Sequence, residues 1–217
     1  MTYKFWTNVG VSMASSAGIG TAQAVSSITK ASPPVLTYVG TDPANGDYVL
    51  LRVAGMSQAN ARIFRVANVN IAGNTFELEG QDATLWSTLV ATGSYMYPLT
   101  FNTAFSTLSE PSGSGGDPIF EDTTLIHDGS DSQAIVSSSP QGYGFTSQWD
   151  PANAALIEAN KAFVTRTPRP IMVVFSDATR FLFSGYVSAA LAPAVSGRKA
   201  TTPVSFTLEN TGTFYAT

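Results

Sequence analysis

Cysteine is absent from the 217-residue chain. Its absence excludes disulfide bonds, thiolate nucleophiles and zinc sites with cysteine ligands. Histidine is nearly absent as well, because His127 is the only one, and it lies in a polar stretch with turn character. No Gly-x-Ser-x-Gly motif accompanies it, so we interpret His127 as a turn residue and not as part of a Ser-His-Asp triad.

Charge is the second shortage. Charged residues make up 12% of the chain and hydrophobic residues 44%, with a net charge of -4. The 11 Lys and Arg residues are scattered, with the tightest groups at Arg62/Arg65 and Arg166/Arg169, so the basic stripe of a nucleic-acid binder is missing. An acidic surface repels DNA, which suits only a passage through which DNA must move without sticking. This composition predicts an ordered protein, either with much of its surface in contact with other molecules or with a surface covered by Ser and Thr.

Long hydrophobic runs are the third shortage. No apolar run approaches the roughly 20 residues of a membrane-spanning helix. The first six residues, MTYKFW, lack a hydrophobic stretch of signal-peptide length. We therefore expect a soluble protein with no membrane partner.

Short apolar stretches separated by turn signals dominate what is present. In residues 74–79, Phe76 and Leu78 alternate with polar residues, and Val204, Phe206 and Leu208 do so in residues 202–209, which is typical of half-buried strands. The fold class predicted is mainly β, a sandwich or barrel whose closure limits exposed edges. The length suits one large all-β domain or two small ones, and we predict residues 1–217 as a single domain. Strands are predicted at residues 22–30, 35–39, 48–53, 62–69, 74–79, 171–175, 181–190 and 202–209, with two or three more in 119–149.

One amphipathic α-helix is predicted at about 151–165. Asp150 suits the N-cap and Pro151 the first helical position, while Pro168 and Pro170 end the segment. Apolar residues follow helical spacing along one stripe: Ala152, Ala155, Leu156, Ala159 and Phe163. We expect this helix to lie on the face or edge of a sheet.

Two segments have the composition of flexible chain. Residues 1–20 end in a run of small residues and are predicted to form an arm. Residues 109–118 are rich in Ser, Gly and Pro and are predicted to be a loop, which either orders against a neighbouring subunit or stays a disordered surface loop. The candidate inter-subunit contacts in these segments are Phe5, Trp6, Ser112, Gly113, Gly115 and Gly116.

No residue set meets the requirements of a cofactor or metal site. The glycines at 113–116 are followed by Asp117-Pro118, where a phosphate-binding P-loop requires Lys-Ser or Lys-Thr. The acidic residues Glu121, Asp122, Asp128 and Asp131 lack the spacing and closing Glu of a calcium loop. We therefore predict no cofactor, no bound metal and no enzymatic activity.

A carbohydrate-binding or hydrolytic protein is the alternative from a different functional class. Its candidate carboxylate pairs are Asp150 with Glu158 and Glu77 with Glu79, because spatial separation decides whether such pairs act on glycosidic bonds. The simpler interpretation of the first pair is a helix cap and a residue on the helix surface. The simpler interpretation of the second pair is the solvent-exposed face of a strand. The tryptophans Trp6, Trp86 and Trp149 suit sugar stacking, although core or interface packing is the commoner use.

Two stretches of the chain carry a family resemblance. Residues 24–82 contain SITKASPPV at 27–35, NGDYV at 45–49 and NTFEL at 74–78, an order similar to a β-rich module of phage tail proteins and, distantly, to a small β-domain of ubiquitin-activating enzymes. Residues 150–212 continue with the helix, FSGYVS at 183–188 and VSFTL at 204–208. Together they resemble the tail tube (major tail) proteins of long-tailed, siphophage-type bacteriophages. The turn at 177–179 lacks the glycine expected there.

The resemblance implies a structural virion protein made in the host bacterial cytoplasm and built into the virion tail. Such subunits form hexameric rings that stack into a tube, with sheets of neighbouring subunits joined into a β-barrel around the lumen. DNA passes this lumen during ejection without specific binding. The implied partners are other copies of the chain, the tape measure, the tail terminator and the tail tip. Within this resemblance, the alternative becomes a carbohydrate-binding or hydrolytic tail-tip protein.

Overall fold

A computed structural model describes residues 6–123, 130–196 and 199–216. These residues form mainly β-strands, with a short 3-10 helix at Ser16–Gly18 and an α-helix, α1, at Ala154–Val164. The strands are β1 (Gly10–Met13), β2 (Gln23–Ile28), β3 (Val35–Val39), β4 (Tyr48–Ala54), β5 (Arg62–Asn70), β6 (Thr75–Leu78), β7 (Val90–Leu99), β8 (Thr103–Phe105), β9 (Leu108–Ser114), β10 (Pro118–Asp122), β11 (Gln133–Ser138), β12 (Gly142–Gln148), β13 (Arg169–Val174), β14 (Arg180–Ala189), β15 (Ala194–Ser196), β16 (Lys199–Leu208) and β17 (Thr213–Tyr215).

Six strands close into an antiparallel barrel in the order β2-β3-β6-β5-β4-β7. Its interior is apolar, with Phe64, Phe76 and Met96 almost fully buried. The alternation predicted for residues 74–79 is confirmed, because Phe76 and Leu78 point into this core. Closure leaves the barrel without a free sheet edge.

The remaining long strands form a nine-stranded antiparallel sheet along the path β8-β1-β13-β14-β16-β12-β9, with β15 and β17 as side branches. Phe105 in β8 and Phe206 in β16 lie four strands apart on this path, which is about 19 Å in a flat sheet. Their ring centroids are nevertheless 5.7 Å apart. The sheet is therefore curled over its own core, which includes Phe145, Phe183 and Val204.

Helix α1 covers one side of this core. Its N-cap is Asn153, whose side chain accepts hydrogen bonds from the backbone N–H groups of Ala155 and Leu156 at 2.9 and 3.3 Å. The predicted N-cap Asp150 instead binds the backbone N–H of Ala152 at 2.9 Å, because a preceding turn separates it from the helix. The predicted apolar stripe was wrong at both ends: Ala152 is exposed and precedes the helix, and Phe163 is 50% exposed whereas Ala162 is buried.

A third apolar cluster joins the barrel to the sheet. Tyr48 and Leu50 of β4 pack here against Leu182 and Tyr215 of the sheet. Strand β4 is thus buried on both faces, since its alternate residues fill the barrel. Burial raises the pKa of Tyr215 to about 12, and the Tyr215 hydroxyl accepts a hydrogen bond from the backbone N–H of Arg65 at 2.9 Å.

An ion pair spans the same junction. The two Nη atoms of Arg52, in the barrel, donate to the two carboxylate oxygens of Glu209, after β16, at 3.0 and 2.8 Å. Such bidentate pairing fixes both groups in one geometry. The junction therefore combines apolar packing with directional polar contacts.

The two segments predicted to be irregular are partly strands. Within the predicted arm, Gly10–Met13 pairs with β13 and β8, and Val11 and Met13 are buried. Within the predicted loop, Leu108–Ser114 pairs with β12. Both strands form because backbone pairing with a neighbour supplies hydrogen bonds that small, polar side chains do not prevent. The mainly β class with one helix is confirmed.

Candidate assembly surface

A protruding β-hairpin is the most exposed part of the described chain. Strands β9 and β12 pair within the sheet, and their continuations β10 and β11 pair only with each other. Every residue of β10 and β11 is exposed. We call these two strands, Pro118–Asp122 and Gln133–Ser138, the hairpin arm.

The hairpin arm carries apolar side chains without a covering layer. Phe120 and Ile135 are cross-strand partners, so they lie on one face of the arm, and they are 54% and 67% exposed. Ile119 and Val136 are also exposed. A two-stranded hairpin is marginally stable in water without further packing. Apolar side chains at such a site indicate a surface that a partner covers.

Two of the predicted contact residues shape the base of the arm. Gly115 and Gly116 have φ of +79° and +87°, which side chains other than glycine rarely adopt. A Cβ on Gly115 would lie 1.9 Å from the carbonyl oxygen of Pro140. Glycine at 115 is therefore required for the bend between β9 and the arm, a role within one chain.

The other predicted contact residues have different surroundings. Ser112 and Gly113 lie on β9 and are exposed, and the Ser112 hydroxyl donates to the Gly144 carbonyl at 3.2 Å. Trp6 packs inside its own chain against Phe145 and Phe175, with ring centroids 5.7 and 5.6 Å apart. Phe5 lies outside the described residues. Their contacts with other subunits stay predictions.

The outer face of β9, β12 and β16 is built from small, uncharged residues. Gly144 is paired with Ser112 on one side and Ser205 on the other. The row before it joins Ser114, Gly142 and Thr207, and the row after it joins Ser109, Thr146 and Pro203. The face opposite is the buried core. We call this surface the serine-glycine face: Ser109, Ser112, Ser114, Gly142, Gly144, Thr146, Pro203, Ser205 and Thr207.

A groove lies at the C-terminal end of α1. Its volume is about 520 Å³, and residues of α1, β14 and β16 line it. Three of its residues are large, apolar and exposed, namely Phe163 at 50%, Val164 at 70% and Tyr186 at 49%. Arg166 lies at its rim. We call it the helix-end groove.

Charge is divided unevenly between these surfaces. Residues 108–138 contain six Asp and Glu residues and no Lys or Arg. No Lys or Arg occurs anywhere between Arg65 and Lys161. Lys161 and Arg166, by contrast, lie exposed at the end of α1. The hairpin arm is thus acidic and the helix end basic.

A buried polar network holds α1 against the N-terminal segment. The Glu158 carboxylate accepts hydrogen bonds from the backbone N–H of Ser16 at 2.9 Å and from Arg169 at 3.2 Å. Arg169 is only 4% exposed. Burial by itself raises the pKa of Glu158, but the Ser16 hydrogen bonds and the charges of Lys161 and Arg169 outweigh it and lower that pKa.

The candidate catalytic carboxylates have structural partners. Asp150 binds a backbone N–H and Glu158 belongs to the network around Arg169. Glu77 accepts from Asn68 at 2.6 Å, and Glu79 forms an ion pair with Arg65. The simpler interpretations of both pairs thus agree with the contacts.

The three tryptophans are engaged in separate places. Trp6 packs against aromatic residues, Trp86 packs on the barrel core beside Phe64, and the Trp149 indole N–H donates to the Leu191 carbonyl at 2.7 Å. They form no common platform. The carbohydrate-binding alternative therefore has no supporting observation in the described part of the chain.

The remaining chemical candidates are few. His127 and Asp128 lie outside the described residues. Among residues 6–123, 130–196 and 199–216, no three His, Cys, Asp or Glu residues are grouped as a metal site would require. Over the same ranges, no helix has the length and apolar character needed to cross a membrane.

Comparison with known proteins gives a family. No curated protein matches the chain. The sequence pattern of the family described as phage tail tube protein, TTP, matches residues 54–217. That range includes three of the six barrel strands (β5, β6 and β7), the hairpin arm, the serine-glycine face and the helix-end groove. The chain belongs to the phage tail tube protein family and is a structural protein of the virion tail.

Proposed function

We propose that this chain forms hexameric rings that stack into a hollow tube, and that DNA passes through the lumen during ejection. The observation that carries the proposal is the hairpin arm, whose exposed apolar residues have no partner layer within the described chain. A contact between the arm and a different surface of a second copy is head-to-tail. Such contacts repeat and generate rings or filaments.

The free edge of β9 supports joining of sheets around a ring. Strand β9 ends the sheet path and pairs only with β12 among the described strands. An unpaired edge presents backbone N–H and C=O groups that another strand can satisfy. We propose that a neighbouring copy supplies that strand and extends the sheet around the lumen.

The serine-glycine face has the chemistry of a lumen wall. Its nine residues carry no charge and no large side chain. Phosphate groups bind proteins mainly through Lys and Arg, and single-stranded bases stack on aromatic side chains. A wall without these groups lets DNA slide without adhering. We propose that this face borders the lumen, where the negative charge of the chain adds weak repulsion.

The proposed partners are those implied by a place in the tail. They are other copies of the chain, the tape measure inside the tube, the terminator at one end and the tail tip at the other. Synthesis in the host cytoplasm precedes assembly in this proposal.

Electron microscopy of the purified chain tests the assembly. We expect rings with six-fold symmetry and tubes at high protein concentration, and location of the chain along the tail shaft in virions. Protein that stays monomeric at every concentration and is absent from the shaft would overturn the proposal.

A charge substitution tests the lumen assignment separately. Tubes of the Pro203→Lys, Ser205→Lys double variant, whose two positions do not line the helix-end groove, should bind short DNA, and binding should weaken with salt. The control is Thr84→Lys, at an exposed position beside the barrel. DNA binding is measured by gel shift after sites on the outside of the tube have been blocked with a polyanion. Tubes of the control variant should bind no more DNA than wild-type tubes. Equal DNA retention by both variants would show that the face lies elsewhere.

A further inference from the structure

The helix-end groove lies beside an unpaired stretch of β14. Pairing between β13 and β14 ends at Arg169 and Gly185. Strand β14 continues to Ala189, and on its other side it remains paired with β16. The last turn of α1 is placed next to this stretch. The groove therefore combines a strand edge with an apolar wall.

The groove and the hairpin arm both expose large apolar side chains. Its walls expose Phe163, Val164 and Tyr186, and its floor includes buried Val187. The arm is a two-stranded ribbon with the Phe120–Ile135 pair on one face. An extended segment laid along a sheet edge gains backbone hydrogen bonds and places alternate side chains in pockets.

The charges of the two surfaces are opposite. Glu121 on the arm and Asp117 directly before it are exposed, and the arm has no basic residue. Arg166 lines the groove and is exposed. Complementary charge of this kind favours one partner over others and accelerates association.

We propose that the helix-end groove is the receiving site for the hairpin arm of a second copy of this chain. The inference rests on the proposed self-assembly and names its two contact surfaces. The Phe120–Ile135 face of the arm covers Phe163, Val164 and Tyr186, with the acidic residues of the arm near Arg166. Because arm and groove are different surfaces, each copy gives one contact and receives another.

Cross-linking between single-cysteine chains tests the site directly, since the chain has no cysteine of its own. One full-length variant carries Val136→Cys on the arm and another carries Val164→Cys at the groove. Cysteine behaves as a small apolar residue, so both substitutions are conservative. Mixed, assembled and treated with a short bismaleimide, the two variants should give a covalent dimer that neither gives alone. A bond between different chains also excludes contact within one chain.

A matched control uses Val39→Cys, which is 67% exposed on barrel strand β3. Mixed with the Val136→Cys chain, it should give no dimer. The groove assignment would be overturned if tubes form normally and Val136→Cys cross-links equally to Val164→Cys and Val39→Cys, or to neither. The proposed tube would not be affected by that result. A wild-type chain that never assembles would overturn the proposed function itself.

A charge exchange gives a second readout. Arg166→Glu should raise the protein concentration needed for assembly roughly tenfold, whereas Lys30→Glu, an exposed change on the barrel side, should leave it unchanged. Adding Glu121→Arg to the Arg166→Glu chain should restore assembly in part. An unchanged assembly threshold for Arg166→Glu would contradict the charge pairing.

Discussion

The curled core of the nine-stranded sheet makes Phe206 a sensitive position. Its side chain is 1% exposed, and its ring contacts those of Phe105, Phe145 and Phe183 with centroids 5.7, 5.7 and 6.4 Å apart. Phe206→Ala removes a buried ring from a site that other rings surround. Losses of about 3–5 kcal/mol are typical of buried Phe→Ala changes.

We expect the upper half of that range, about 4–5 kcal/mol, because rigid aromatic neighbours relax little into the cavity. At a urea dependence of about 2 kcal/mol per molar, the unfolding midpoint should fall by about 2 M with an unchanged slope. The measurement is urea unfolding of dilute, unassembled protein. Phe214→Ala is the control, since Phe214 is 65% exposed and stacks only on Phe181, and it should cost about 1 kcal/mol or less.

A double-mutant cycle with Phe105→Ala isolates the curl itself. Residues in contact give interaction energies of about 0.5–1.5 kcal/mol for an aromatic pair. Residues four strands apart in a flat sheet would give additive losses. If the two losses in unfolding free energy add within error, the rings of Phe105 and Phe206 do not pack together. A loss below about 1 kcal/mol for Phe206→Ala would show that its ring is not in a tightly packed core.

Three further substitutions have defined outcomes. Gly115→Ala should lower the free energy of unfolding by about 2 kcal/mol, because Gly115 has a positive φ and a Cβ there would clash with Pro140. Its control is Gly113→Ala, which has open space around it and should change the free energy of unfolding by about 0.5 kcal/mol or less. Urea unfolding measures both. Ala178→Gly should raise it by about 0.5–1 kcal/mol, because Ala178 has φ of +62°; a loss would contradict that geometry. The pKa of Glu158 is lower in the folded chain than its ordinary value of 4.5. The ionised carboxylate therefore stabilises the fold above about pH 4.5, and this stabilisation disappears as pH falls through the folded-state pKa. The stability difference between wild type and Glu158→Gln should therefore shrink in acid, as thermal unfolding between neutral and acidic pH would show; a constant difference would mean that the network is not formed.

Periodicity predicted much of the fold. Strand β3 was predicted at 35–39, the range it occupies, and the buried faces of 74–79 and 202–209 were assigned correctly. These segments alternate because one face is solvated and the other is core. The helix was found because its spacing is regular, although its start was three residues early. Asn153 competes with Asp150 for the cap, and composition does not decide between them.

The strands within 1–20 and 109–118 were missed for a physical reason. Gly10–Met13 and Leu108–Ser114 gain their order from neighbours that are distant in sequence. Small and polar residues predict flexibility when local preference alone is considered, and tertiary pairing overrides that preference.

Four of the predicted contact residues lie at or before the base of the hairpin arm. Ser112, Gly113, Gly115 and Gly116 mark where the hairpin leaves the sheet, while the apolar pair Phe120–Ile135 was not identified. The signal was available in part, since IF at 119–120 and AIV at 134–136 flank an acidic stretch of sequence. Their exposure follows because no strand within the described residues lies beyond the arm, which no local pattern reveals. The helix-end groove exists because β14 continues beyond its pairing with β13. The local sequence pattern does not predict this difference.

The stretch without basic residues between Arg65 and Lys161 has a consequence for durability. Proteases that cleave after Lys or Arg have no site in residues 108–138, so the exposed strands β10 and β11 are resistant to trypsin. Cleavage after glutamate remains open at Glu121 on the exposed strand β10. A glutamate-specific protease should therefore cut the free subunit at the hairpin, and it should lose that access once the hairpin is covered.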